Sequence, residues 1–273
     1  MPERKDKMGD RLKAYEHIET EQRFPPNTWL YVRLDGRGFS KFTRGLARPY
    51  DKRMSELMMI VTKALVVEYN AIIGYTQSDE ISLLIPNTYE KGCIFDAKKQ
   101  KLLSTIAGLA SSIFTAHLPA MIPEKDPLKT NRFPSFDCRI FPIGNESEAA
   151  NALLWREHDA IKNSVSMAAH DKFSHKQLQG LSTDVMKDML KTKANVIWDD
   201  FPDFFKSGVY FKRQTYFIDT PDAGRVERSR IEEMPLKLSN RPHEIRIAIV
   251  LGRWSEMEKI EDKGKFVIRY KEE

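Results

Sequence analysis

Cysteine is nearly absent from this chain: Cys93 and Cys138 are the two in 273 residues. They stand far apart with no ligand-like neighbours, which argues against a disulfide framework and against a cysteine-held zinc ion. Two isolated thiols, buried or partly buried, fit a reducing compartment. Long apolar runs are missing as well; no stretch approaches the ~18 apolar residues of a bilayer span. Met1 to Asp10 is charged and carries no apolar stretch, so it does not read as a signal peptide. These absences set the expectation of a cytoplasmic protein with no membrane partner. There is no Walker A sequence and no Gly-x-Ser-x-Gly elbow. His158, His170 and His175 lack the spacing of a zinc-binding helix. No internal repeat or low-complexity tract occurs.

What is present is a balanced globular composition, 41% hydrophobic and 30% charged. Lys and Arg number 44 against 39 Asp and Glu, a net charge of +5 with a pI near 9.0. That balance permits nucleic-acid binding without requiring it. The length fits one elaborated domain or two small ones. A composition shift near Gly144 marks the best boundary: residues 1–144 as a catalytic region, and 145–273 as a helical and hairpin region packed on it as one unit.

The periodicity predicts a modest amphipathic helix over 10–23, broken by Phe24-Pro25-Pro26-Asn27. A strand follows from Thr28 to Leu34 and ends in Asp35-Gly36-Arg37-Gly38. Met54, Leu57, Met58, Val61 and Leu65 recur at helical spacing after Pro49. Residues 71–85 read as a hairpin with Ser78, Asp79 and Glu80 at its tip. Leu102, Ile106, Leu109 and Ile113 mark a second helix, Pro119 to Pro134 a loop, and Ser135 to Pro142 a returning strand. The order β-α-β-β-α-β predicts an α+β, ferredoxin-like split βαβ unit. Beyond it, Glu146 to Lys172 and Gln177 to Thr192 read as helices. Gly208 to Phe217 reads as a strand, Pro221-Asp222-Ala223-Gly224 as a turn, and Val226 to Ile231 as a charged hairpin arm. Glu244 to Leu251 reads as a late strand or short core segment.

In that topology the end of the first strand lies beside the central hairpin, so Asp35 and Asp79 converge. Paired carboxylates at strand ends suit two-magnesium phosphoryl chemistry, with ordinary turn aspartates as the plainer alternative. Gly36 allows its carbonyl a close approach to a metal. Strand alternation turns Glu80 to the side away from Asp79, as a supporting or substrate-contacting acid. Arg37, Arg44 and Arg48 crowd the loop after Asp35, where phosphate contact competes with ordinary solvation. Lys98, Lys99 and Lys101 fall early in the second helix, either as an anion site or as a solvated face. Lys206, Lys212, Arg213, Arg225, Arg228 and Arg230, mixed with Tyr210, Phe211 and Tyr216, read as an RNA surface or a charge-protected edge.

Three motifs together carry a resemblance: Arg33-Leu34-Asp35-Gly36-Arg37-Gly38-Phe39, Ala47-Arg48-Pro49-Tyr50-Asp51, and Tyr75-Thr76-Gln77-Ser78-Asp79-Glu80-Ile81-Ser82. With Phe136-Asp137-Cys138-Arg139 and Trp155 to Ser164, they resemble the tRNA-His guanylyltransferase family. The resemblance runs from about Arg11 to Arg213. It implies a polymerase-like palm that adds nucleotides, GTP favoured, to the 5′ end of tRNA in the 3′-5′ direction, after activation with ATP or GTP. It implies that Asp35, the Gly36 carbonyl and Asp79 hold two Mg2+ ions, with Glu80 beside them. Ser78 and Arg48 match nucleotide- or phosphate-contact positions, Lys98 and Lys101 fall near a triphosphate-binding helix, and Asn163 matches one Asn of a later motif. Family members are commonly tetramers, which sets the expectation of a homo-oligomer. Where eukaryotic members carry His-Ile-Asn-Asn, this chain has Ile161-Lys162-Asn163-Ser164. That departure resembles the guanylyltransferase-like members, implicated in template-dependent 5′-end repair. A palm-fold nucleotide cyclase and a non-catalytic RNA-binding module are the competing readings.

Overall fold

The structure is a computed structural model and describes residues 7–88, 92–220, 224–234 and 237–252. The expected turn at Pro221 to Ala223 and the charged closing segment lie outside the described residues. Helix α1 spans Lys7–Thr20 and strand β1 Thr28–Gly36. Helix α2 (Lys52–Glu68) leads to the hairpin β2 (Ile73–Gln77) and β3 (Glu80–Asn87). Helix α3 (Lys99–Met121) and strand β4 (Phe136–Ile143) follow, then α4 (Glu146–Lys172) and α5 (Thr183–Ala194). Strands β5 (Val209–Thr220) and β6 (Gly224–Met234) and helix α6 (His243–Leu251) come last.

The strands form one antiparallel sheet in the order β4-β1-β3-β2-β5-β6. Its first four strands, joined through α2 and α3, are the predicted βαββαβ unit. Val32, Leu34, Ile81 and Leu83 face α2 and α3, whose Leu57, Val61, Ile106 and Phe114 complete that core. Alternate residues Tyr31, Tyr75, Leu84 and Tyr210 face the other way, onto Ala149 and Leu153 of α4 and Ile245 and Ile249 of α6. The central strands are buried on both faces, which is why β3 reads as a nearly continuous apolar run. Helix α3 is long and apolar enough to cross a membrane by length and composition. Here its Leu102, Ile106, Ala110, Phe114 and Leu118 stripe lies in the core.

Several elements differ from expectation. Glu244 to Leu251 is helical: Ile245, Ala248 and Ile249 are buried at three-four spacing, which outweighs the alternating isoleucines. The Gln177–Thr192 segment is two helices, His175–Leu178 and α5, separated at Gly180 with φ 78°. The Pro119–Pro134 loop starts later, because α3 runs through Pro119 to Met121, and it holds two short helical turns. Helix α1 forms, yet none of its residues is buried.

The basic residues of β5 have internal work. The Lys212 ammonium is fully buried and donates to the Val250 carbonyl at the C-terminal end of α6. Arg213 donates to the carbonyls of Val66, Val67 and Ala71 at the end of α2. Cations suit helix C-termini, where carbonyls lack partners. Lys206 donates to the Asp199 carbonyl. These three are therefore joints between elements, and the exposed basic residues of this region are on β6. Glu157 of α4 is a second joint. Fully buried, it accepts from the Tyr210 hydroxyl at 2.8 Å, the Leu238 and Ser239 N–H groups at 2.8 and 3.0 Å, and the Ser239 hydroxyl at 2.6 Å. Glu157→Ala strands those donors in the interior. A loss of about 3 kcal/mol is expected in urea unfolding; a loss below about 1 kcal/mol would show that this joint is dispensable.

Candidate active site at the β2–β3 turn

β1 and β3 pair from Thr28 against Asn87 to Asp35 against Glu80. The ladder thus carries Asp35 to the end of the sheet where the β2–β3 turn, Ser78-Asp79, closes the hairpin. The Gly36 N–H donates to the Asp79 carbonyl at 3.1 Å, tying the turn to the end of β1. A Cβ at Gly36 would lie 2.3 Å from the Phe39 ring, so only glycine fits this junction. Ser78 holds φ 50°, a left-handed conformation rare outside glycine and asparagine, and its hydroxyl donates to Asp79 Oδ1 at 3.1 Å. Burial, and then the charge of Asp35, push the Asp79 carboxyl above its ordinary range. Two half-buried carboxylates brought together suit a divalent cation, whose charge offsets both.

Glu80 is occupied elsewhere. Its carboxylate is buried in a bidentate pair with Arg156 of α4, at 2.5 and 2.8 Å, and Arg156 also reaches Asp159 at 2.7 Å. Glu80 therefore anchors α4 to the end of the central strand β3 and stands opposite Asp35 on the same face. Among the described residues no group of three or more His, Cys, Asp or Glu could hold a metal alone. Asp35, Asp79 and the Gly36 carbonyl would share the ion with substrate oxygens and water, as magnesium commonly accepts.

Beside the turn lies a cleft of about 520 Å³. Ser78 and Asp79 line it at one side, Arg48 and Tyr50 at another, and Met167 and His170 of α4 close it. Asp51 holds the Arg48 loop: it caps α2, pairs with Arg53 and accepts from the Ala47 N–H at 3.2 Å. The Arg53 guanidinium beside it lowers its carboxyl to about 2. Arg37 is exposed, its N–H bonded to the Ser135 carbonyl, and is not in the cleft lining; Arg44 is exposed. Asn163 is exposed on α4 next to the cleft-lining Ser164.

Lys98 and Lys101 stand apart from this site. They lie at the Thr28–Asn87 end of the sheet, where Arg23 and Lys98 form an isolated antiparallel bridge, with the Lys99 N–H donating to the Gln22 carbonyl and the Phe24 N–H to the Ala97 carbonyl. Seven ladder steps separate that end from Asp35, roughly 24 Å. Lys98 pairs with Glu21 at 2.6 Å, and Lys101 lies over the Phe95 ring. Within one chain these lysines do not reach a nucleotide held at Asp79. Missed from sequence were Tyr50, Met167, His170, Phe204 and Phe205 as cleft walls, and Arg156 as the holder of Glu80. Tyr50 sits inside a quoted motif; the others carry no spacing signal, because the cleft is assembled from separate elements.

A family profile described as tRNAHis guanylyltransferase matches residues 9–144. The tRNA(His) guanylyltransferase of Neurospora crassa is 30% identical over 223 residues, covering 77% of this chain and 74% of its own. This chain belongs to the tRNA-His guanylyltransferase family. An uncharacterised protein of Acanthamoeba polyphaga mimivirus is 30% identical over 274 residues, covering 93% of this chain and 92% of its own. Among solved structures, a bacterial tRNA(His) guanylyltransferase-like protein in complex with ATP superposes with a TM-score of 0.69 at 34% identity, over 81% of this chain and 91% of that one. A bacterial counterpart in complex with GTP gives 0.66 at 28%, over 90% and 98%. The six-stranded sheet with its palm unit is thus a fold of this family.

The strained carboxyl pair has a thermodynamic signature. A carboxyl raised in the folded state binds more protons folded than unfolded, so stability falls as pH rises through that range and stays lower above it. Asp79→Asn removes this cost. In metal-free buffer at neutral pH the variant should melt higher than wild type, with the gap closing as pH falls through the carboxylate range. An equal or lower melting temperature at neutral pH would contradict the crowding of Asp35 and Asp79.

Proposed function

We propose that this protein is a magnesium-dependent nucleotidyltransferase that extends the 5′ end of tRNA in the 3′-5′ direction. The observation that carries this reading is the Asp35–Asp79 pair at the end of a palm sheet, with Asp79 lining a cleft of nucleotide size. Family membership and the ATP- and GTP-bound structural relatives support it. The cleft takes the nucleoside triphosphate, GTP favoured for addition and ATP or GTP for activation. Arg48 and Ser78 meet its phosphates, the guanidinium as a fork and the hydroxyl as a donor. Asp35, Asp79 and the Gly36 carbonyl hold two Mg2+ ions, which when bound lower the pKa of an attacking hydroxyl and stabilise charge on the transferring phosphate. Glu80 acts at one remove, keeping α4 against the site through Arg156. Asn163, at the cleft edge, is a substrate contact.

The reaction has two steps at one carboxylate pair. The RNA 5′ monophosphate attacks the α-phosphorus of ATP or GTP, and pyrophosphate leaves. The 3′ hydroxyl of the incoming GTP then attacks the activated 5′ phosphorus, and the activating nucleotide monophosphate leaves. Because Ile161-Lys162-Asn163-Ser164 stands where the eukaryotic motif has His-Ile-Asn-Asn, our reading is template-dependent 5′-end repair; the composition adds a cytoplasmic location and the family resemblance a homo-oligomer. Lys98 and Lys101 bear on a bound triphosphate in this reading only across subunits.

The test is incubation with Mg2+, labelled GTP and a tRNA lacking its 5′ nucleotide. Label in the tRNA is expected, with transfer abolished in Asp79→Ala; a cyclic nucleotide product, or transfer unaffected by that substitution, would overturn the reading. RNA affinity should also fall as salt rises, since phosphate contacts release counterions. A salt-independent affinity would contradict it.

A further inference from the structure

The sheet face on the far side of Asp35 from the nucleotide cleft is built unlike the rest of the surface. Asp35 is followed back along the same face of β1 by Arg33, about 7 Å away. Arg33 stands directly opposite Arg139 of β4 in the ladder, and Tyr31 opposite Phe141. Like charges opposite one another cost stability unless an anion joins them. Arg139 has a long contact with Asp137 at 3.4 Å, whereas Arg33 has no carboxylate partner among the described residues. Over this face lies Trp155 of α4. Its ring takes the Arg33 guanidinium at 5.6 Å and that of Arg156 at 4.6 Å, yet the residue stays 48% exposed. Phe141, two residues along β4 from Arg139, is 39% exposed, its ring 5.1 Å from that of Tyr31. Two open aromatic rings between arginines form the pattern that holds nucleic-acid bases by stacking and their phosphates by charge. Along α4, Trp155 and the cleft-lining Met167 are separated by about 18 Å of helix, with Arg156 and its hold on Glu80 next to Trp155.

We infer that this face is the docking platform for the RNA end: the terminal base stacks on Trp155, and the adjoining phosphates lie against Arg33 and Arg139. The nucleotide then enters Asp35 and Asp79 from the cleft and the RNA from the platform, so the two reactants meet at the carboxylates from opposite sides. This rests on the RNA-end reading above and adds the surface that presents the RNA.

The test uses the full chain and a tRNA lacking its 5′ nucleotide, with RNA and GTP affinities measured in parallel. Trp155→Ala should weaken RNA binding about ten-fold, the scale of one lost base stack, with Trp155→Phe retaining most of it and GTP affinity unchanged in both. Arg139→Gln should lower the salt slope of RNA binding by about one. Because Trp155 also supports Arg156, Phe141→Ser serves as a second variant that leaves that contact in place and should weaken RNA in the same direction. RNA binding at wild-type strength in Trp155→Ala and Phe141→Ser overturns the platform while leaving the proposed activity standing. Loss of self-association with RNA affinity intact makes the face a contact between copies and also overturns it. Wild-type protein that binds no RNA overturns the activity and the platform together.

Discussion

Asp35 faces its partners because β1 and β3 pair in one register, and because Gly36 donates to the Asp79 carbonyl where that pairing ends. Everything chemical in the molecule depends on this constraint. A slip of one residue would send Asp35 to the face occupied by Val32 and Leu34, among the residues that pack α2 and α3. The different side chains that each face of the two strands must bury therefore hold the register, and the register holds the carboxylate. The turn adds strain of its own, in the left-handed Ser78 and the half-buried Asp79 beside Asp35, held by the strands on either side.

Helix α4 couples the palm unit to the rest of the chain through two adjacent residues with different tasks. Arg156 reaches the end of the central strand β3 at Glu80, and Glu157 gathers the donors of Tyr210, Leu238 and Ser239. The same helix walls the nucleotide cleft with Met167 and His170. Lys212 and Arg213, on opposite faces of β5, close the ends of α6 and α2. The segments beyond Gly144 thus extend the palm sheet by two strands and cover its second face.

The palm was legible in the sequence because its signals are local and strong: short apolar, β-rich strands, the Asp-Gly-Arg and Gln-Ser-Asp-Glu turns, and a helix with apolar residues at 54, 57, 58, 61 and 65. Asp35, Asp79 and Ser78 could be named because short turns present them. Other assignments depended on tertiary partners that spacing does not reveal. Lys212 and Arg213 looked like RNA contacts until the ends of α6 and α2 supplied carbonyls for them. Lys98 looked like a phosphate ligand until Glu21 and the length of the sheet placed it at the other end. The 244–251 segment alternates its isoleucines as a strand does, and only packing against α4 makes it a helix. Trp155 carried no signal beyond the family motif, since its significance lies in Arg33 on a different element.

The central claim is that Asp35 and Asp79 act as one cation-binding unit. Manganese bound with GTP can be counted by electron paramagnetic resonance in the wild type, Asp35→Asn, Asp79→Asn and the double variant. If the pair is one unit, each single variant loses the tightly bound manganese and the double variant loses no more. Independent, additive losses, or a single variant that retains wild-type manganese binding, would contradict it.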